Sequence, residues 1–254
     1  VTTVRSLAYQ VLFYVWLAIL SFPFTVMLLG PREWMQGAAR LWVHTSLFLL
    51  RVVVGLRHEV RGIENLPRGG AALVVSKHQS MWDTLIFHAL LPDPIYVLKK
   101  ELAAMPFFGW FVMKSGCVAV DRGAGGKALR QMAEGAKVAL ARGSQVVIFP
   151  EGTRTAPGSK APYHSGVALL MSEGLPVVPV ALNSGLYWGR HTLRQRSGTI
   201  IIEILPPLPP GMERKAAMRE LEDRIEAASR RLIDEALEKN PALVAALPCA
   251  AATR

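Results

Sequence analysis

The stretch Ala71–Thr84, AALVVSKHQSMWDT, changes character halfway along. AALVVS is a short apolar run with β-branched residues, the pattern of a strand buried on both faces. From Met81 the sequence MWDTLIFHALL carries its apolar residues at helical spacing. Lys77, His78, Gln79 and Ser80 lie between the two, in a polar loop at the carboxyl end of the strand. Open α/β sheets bind their ligands at that end.

The same alternation extends outward. Strand candidates recur at 71–76, 95–98, 117–120, 145–149, 177–181 and 199–204, with helical patterns between several of them. One pattern runs through Leu129, Met132, Ala136 and Leu140, and Gly143 is a natural stop for it. The expected fold is therefore α/β, a mixed, largely parallel sheet flanked by helices, occupying residues 58–210. The proline-rich run ILPPLPPG (204–211) closes it as a linker. In the remaining segment, 211–254, Met218, Leu221, Ile225, Ala228, Leu232 and Ala236 form the apolar stripe of a C-terminal amphipathic helix, expected to pack on the sheet.

A chain of 254 residues can bury a sizeable core. Apolar residues make up 51% and mean hydropathy is +0.28, high for a freely soluble protein. The net charge of +10 points to an anionic partner, yet no dense or aromatic-interleaved basic stretch suits nucleic acid. Residues 1–62 carry six Arg against two acids, whereas 211–240 balances seven Lys and Arg with eight acids. Cys117 and Cys249 are far apart and lack CxxC partners, which argues against a disulfide framework or zinc site and for a reducing compartment.

Residues 1–57 read as a membrane-associated two-helix segment. No charge falls between Ser6 and Pro31, a run long enough to cross a bilayer core. It lacks a small-x-small cleavage site and exceeds a usual leader's apolar stretch, so an anchor is expected rather than a signal peptide. Pro23 is expected to kink or end the first helix. In the next segment Glu33, Gln36, Arg40, His44 and Arg51 share one helical side, and Trp34, Ala38, Leu41, Thr45, Phe48 and Val52 share another. That is an amphipathic helix with a basic stripe suited to an anionic lipid surface. A core helix with one solvated face is the plainer alternative.

Three stretches carry candidate chemistry. His78 precedes Asp83 by five residues, about 140° apart on a continuous helix, but a loop can fold one back to the other. A carboxylate on one imidazole nitrogen fixes the tautomer and leaves the other nitrogen to accept a proton. The plainer reading is that Ser80 and Asp83 form a capping box. FPEGTR (149–154) follows the strand QVVIF, where Gly152 permits close approach to a ligand and Arg154 suits phosphate oxygens; it is also an acceptable turn. KKELAAMPFFGWFVMKSGCVAVDR (99–122) sets Lys99, Lys100 and Arg122 beside Phe107, Phe108 and Trp110. Cations beside an apolar patch suit an amphiphile, though a core helix with flanking solvated charges has the same pattern.

Taken in order, KHQSMWD, the 99–122 stretch, FPEGTR and VPVALN resemble the four blocks of the glycerolipid acyltransferase family, over roughly residues 58–210. The resemblance implies acyl transfer from acyl-CoA or acyl-carrier protein, as co-substrate, to a lysolipid hydroxyl, with no metal or redox cofactor. The expected acceptor is 1-acyl-glycerol-3-phosphate, giving phosphatidic acid; another lysolipid such as lyso-ornithine lipid, or a non-catalytic lipid-binding role, is the alternative. His78 and Asp83 would be the catalytic pair, with main-chain N–H groups near Lys99–Gly109 as oxyanion donors. Lys99, Lys100, Arg122, Glu151, Gly152, Thr153 and Arg154 would bind substrate, Glu151 through the glycerol or through the turn that presents Arg154. The cytoplasmic face of a bacterial inner membrane is the expected location. Two departures stand out: Lys77 occupies a position that is Asn in many members, and Ala161–Gly166 lacks the usual cations, leaving Lys160 and His164 as substitutes.

Overall fold

Alternating β-branched runs and helical repeats wind into one seven-stranded sheet in the computed structural model, which describes residues 2–171, 175–190 and 192–248. The strands are β1 (Leu56–Arg61), β2 (Ala72–Ser76), β3 (Pro94–Lys99), β4 (Val118–Val120), β5 (Gln145–Ile148), β6 (Val177–Leu182) and β7 (Gly198–Ile204), in the order β1-β7-β6-β2-β5-β3-β4. β6, β2, β5, β3 and β4 run parallel; β7 runs antiparallel to β6 and carries β1 parallel to itself. The expected mixed, largely parallel sheet is thus present. β1 is an addition. Its sequence LRHEVR buries only Leu56, so an edge strand with charges on both sides offers no apolar pattern to read.

The helices are α1 (Thr2–Met27), α2 (Arg32–Leu49), α3 (Trp82–Leu90), α4 (Lys100–Ala103), α5 (Phe108–Lys114), α6 (Gly126–Ala141), α7 (Gly166–Leu170) and α8 (Arg214–Lys239). β2 is buried at every position because successive side chains enter opposite layers. Val74 joins α1 and α3 through Tyr9, Phe13, Ile86 and Phe87, whereas Leu73 and Val75 join α6 and α8 through Met132, Ala136, Leu221 and Ile225. The proline-rich segment is no free linker: Leu205 and Leu208 donate to Pro179 and Val177, so it runs back along β6.

The N-terminal helices differ from expectation twice. α1 continues through Pro23, with Ser21 and Thr25 hydroxyls bonded back to Leu17 and Ser21 carbonyls. A proline removes one ladder bond, and the remaining apolar contacts of Leu20 and Phe24 with Met35 and Ala38 hold the helix. α2 turns much of its polar stripe toward the protein: Gln36 donates to the Ser115 carbonyl and Arg40 to the Pro92 carbonyl. Arg32 bonds both Ser115 O and Asp93 Oδ1. Outward go Trp34, Leu41, Phe48 and Val52, while His44 and Arg51 remain exposed. Both helices are long and apolar enough to cross a membrane.

Candidate active site

β2 ends at Ser76, and the Lys77 N–H still bonds Val180 O, so the chain leaves the sheet at His78. Asp83, in the first turn of α3, reaches back to it. Its Oδ2 accepts from His78 Nδ1 at 3.0 Å, from Gln79 N–H at 2.7 Å and from Ser80 N–H at 2.8 Å. Its Oδ1 accepts from Ser184 Oγ at 2.6 Å. The two readings of this spacing coexist, since one carboxylate caps the junction and orients the imidazole. A carboxylate accepts only, so the shared proton belongs to Nδ1 and the lone pair to Nε2. The imidazole stacks on Phe149 with centroids 4.0 Å apart and planes 21° from parallel.

FPEGTR follows β5, the neighbour of β2, and interlocks with the histidine loop. The His78 N–H donates to Glu151 Oε2 at 2.9 Å, and the His78 carbonyl accepts from Thr155 N–H at 2.8 Å. Glu151 therefore faces inward: its Oε1 also meets Thr155 Oγ1 at 2.9 Å and Lys77 Nζ at 2.5 Å. Of its two expected roles, these contacts favour holding the turn. Burial pushes its carboxyl above the usual range, and the Lys77 ammonium with the two hydrogen-bond donors pulls it part of the way back. Gly152 sits at φ 65, a left-handed conformation that side chains resist, and its N–H closes the turn onto Phe149 O. Thr153 is exposed at the tip and Arg154 is half-buried beside it, its carbonyl held by Arg190. His164 lies alongside, its N–H on Pro150 O, whereas Lys160 is drawn to Glu222 of α8 at 2.8 Å.

Lys99 ends β3, one strand beyond β5, and is exposed. Lys100 pairs with Asp121 at 2.5 Å, an exposed contact that ties the end of β3 to the turn after β4. Arg122 opens that turn; its side chain lies outside the described residues. The apolar stretch between is no core helix: Met105, Phe107, Phe108, Trp110 and Met113 are all exposed. Phe107 takes φ 61, alone in this among the described residues other than glycines, and Gly109 packs where a Cβ would lie 2.0 Å from Ala103 O. Phe111 meets Phe24 of α1 edge-on at 6.0 Å, joining this patch to the N-terminal helices. Cys117 is buried and its thiol is pushed up to about 11 by that burial, so it is protonated near neutrality.

Sequence reasoning missed Ser184 and Thr155. Ser184 directly follows VPVALN, and Thr155 directly follows FPEGTR, so each lay one residue beyond a recognised block. Among the described residues no cluster of His, Cys, Asp and Glu could hold a metal ion.

A strand-end histidine oriented by a carboxylate, beside an arginine turn on a parallel sheet, is an arrangement for moving a proton next to an anion. The acyltransferase family model matches residues 57–183, and the chain belongs to that family. It is 38% identical to a 1-acyl-sn-glycerol-3-phosphate acyltransferase of Pseudomonas aeruginosa, across 84% of this chain and 82% of that protein. It is 32% identical to the human 1-acyl-sn-glycerol-3-phosphate acyltransferase alpha, across 64% of this chain and 59% of that one. Its fold matches the crystal structure of the 1-acyl-sn-glycerophosphate (LPA) acyltransferase PlsC from Thermotoga maritima, with TM-score 0.76 at 21% identity, covering 91% and 98% of the two chains.

Proposed function

We propose that the protein acylates the sn-2 hydroxyl of 1-acyl-glycerol-3-phosphate, using acyl-CoA or acyl-carrier protein, to give phosphatidic acid. The observation that carries this reading is the His78 Nδ1–Asp83 bond beside the Arg154 turn, in a chain whose relatives are named for that reaction. His78 Nε2 takes the proton of the acceptor hydroxyl as its oxygen forms a bond to the thioester carbonyl. The tetrahedral intermediate collapses, the C–S bond breaks, and the leaving sulfur receives the proton from His78. Main-chain N–H groups near Lys99–Gly109 stabilise the oxyanion. Arg154 grips the acceptor phosphate, with Lys99, Lys100 and Arg122 adding positive charge, and Gly152 and Thr153 shape the tip that meets it. Phe107, Phe108 and Trp110 line the way for an acyl chain. A thioester is already activated, so no cofactor enters. A covalent route through Cys117 is disfavoured by its burial and its protonated thiol.

The exposed apolar faces of α1 and α2, with the exposed Phe107–Trp110 patch on a segment that packs on α1 through Phe111 and Phe24, support seating this end of the molecule in a membrane. Thioester donors are cytosolic, which supports a site facing the cytoplasm at a bacterial inner membrane. The test is thiol release from an acyl thioester by detergent-purified protein, with lysophosphatidic acid, lyso-ornithine lipid and glycerol 3-phosphate compared. Release with lysophosphatidic acid alone is expected. Release with lyso-ornithine lipid alone would overturn the acceptor assignment, and fatty acid formed without acceptor would indicate hydrolysis.

A further inference from the structure

Lys77 is only 1% exposed, and its side chain runs inward beneath the histidine loop rather than out to solvent. Its ammonium has three protons and finds three acceptors: Glu151 Oε1 at 2.5 Å, Glu226 Oε1 at 2.7 Å and the Ser159 carbonyl at 3.3 Å. Glu226 stands on α8, the helix to which the sequence assigned no chemistry. Tyr163 Oη donates to the same Glu226 oxygen at 3.1 Å, and Glu222, one turn earlier, holds Lys160. One acidic face of α8 thus grips both Lys77 and the 159–163 segment.

Burying an ammonium between two carboxylates carries a desolvation cost of several kcal/mol per ion. Apolar residues in place of all three charged groups would avoid that cost, so the arrangement is better read as supplying geometry than stability. That geometry leads straight to the site. Glu151, whose Oε1 meets Lys77, uses Oε2 to hold the His78 N–H, and it begins the turn that carries Arg154.

We infer that Lys77 and Glu226 are positioning residues for the acyl transfer described above: Lys77 joins α8 to Glu151, and Glu151 sets the main chain of His78 and the Arg154 turn. The proposal rests on that reaction for its activity readout, but not for its structural one. Without Lys77, the Glu151 and Glu226 carboxylates would face each other with no cation between them. A shared proton would then be the only substitute. The other charged or titratable groups around them are Tyr163, and Lys160, Glu222 and Arg230 toward the rim.

The experiment compares Lys77→Met, Glu226→Ala and Lys77→Met/Glu226→Gln with the parent in the thiol-release assay, from pH 6.5 to 8.5, per folded molecule. Lys77→Met should lower kcat about tenfold or more at pH 8.5 and raise KM for the acceptor a few-fold as the Arg154 turn loosens. The parent-to-variant ratio should shrink toward pH 6.5 as a proton replaces the ammonium. Adding Glu226→Gln should recover most of the loss, since its amide can donate to Glu151. A pH-independent ratio with no rescue would make Lys77 a packing residue and overturn the proposal. Should Lys77→Met not fold, Glu226→Ala decides: kcat down about fivefold supports it, and parental kcat refutes it. Hydrogen exchange at the His78 amide, expected to quicken at least tenfold in a folded variant, reads the same lock without turnover. A parent silent with every acceptor would refute the reaction, and unchanged exchange would refute the lock.

Discussion

The histidine loop and the α4–α5 segment both border the site, and they are built in opposite ways. Around His78 the polar groups are densely bonded, with Gln79 Nε2 the exception, buried without a partner. Asp83 accepts four hydrogen bonds, and Glu151 and Thr155 hold the two main-chain groups of the histidine. Around Phe107 the side chains are apolar and exposed, and the main chain takes a conformation that side chains resist. A base must be held within a few tenths of an ångström of its target, which buried, satisfied hydrogen bonds achieve. An acyl chain needs area and tolerance, which an adaptable apolar surface provides. The difference separates chemistry from capture.

If that division holds, the two regions respond to mutation in different kinetic constants. Asp83→Asn can keep its carbonyl oxygen at the Oδ2 position and reverse the Ser184 contact, but it removes the negative charge that stabilises the imidazolium, so kcat should fall about a hundredfold or more with KM nearly constant. Steady-state kinetics on the folded variant measures this, and an equal rise in KM would blur the contrast. Ser184→Ala removes one charge-assisted bond of about 1.5–3 kcal/mol from Asp83, and kcat should fall about tenfold. Trp110→Ser should act in the opposite sense, raising KM for a long-chain thioester about tenfold while kcat stays within twofold. A short-chain thioester should be indifferent to it. A loss of kcat in Trp110→Ser would break the division outright.

The smallest effect concerns pH and the docking of α2. His88 on α3 is held down to about 4, first by burial and then by Arg40, with Asp93 opposing. The unfolded state binds that proton more tightly, so stability should fall as pH drops from about 6.5 toward 4. Asp93 adds to this at lower pH: burial raises its carboxyl, but the Arg32 and Ser144 hydrogen bonds outweigh that and hold it below the usual value. Its contribution is present above the unfolded value of about 4 and is lost as pH falls through the depressed one. Thermal melts between pH 7 and 4 should descend, and His88→Gln should flatten the upper part of the slope. A flat profile in the parent would contradict the assignment.

What the sequence made legible was local. AALVVS reads as a strand from its own residues, and the pairing of His78 with Asp83 spans five residues across one loop. Ser184 meets Asp83 across 101 residues and Thr155 meets His78 across 77, and neither residue type announces such a contact. Lys77 read as a departure from a pattern because its acceptors, Glu151, Ser159 and Glu226, are far along the chain, the last two 82 and 149 positions away. The α2 stripe is divided: Gln36 and Arg40 bond the protein while Glu33, His44 and Arg51 stay exposed, because periodicity defines a face and not what it meets. Pro23 was expected to kink or end the first helix, and α1 does not end there, since tertiary contacts hold it together beyond that point.

The most direct measurement of the central claim is thiol release with lysophosphatidic acid by His78→Ala, set against the parent protein in the same detergent. Loss of about a hundredfold or more in kcat, with the variant folded and KM for lysophosphatidic acid retained, is the predicted result. Turnover within a few-fold of the parent would contradict the assignment of His78 as the base.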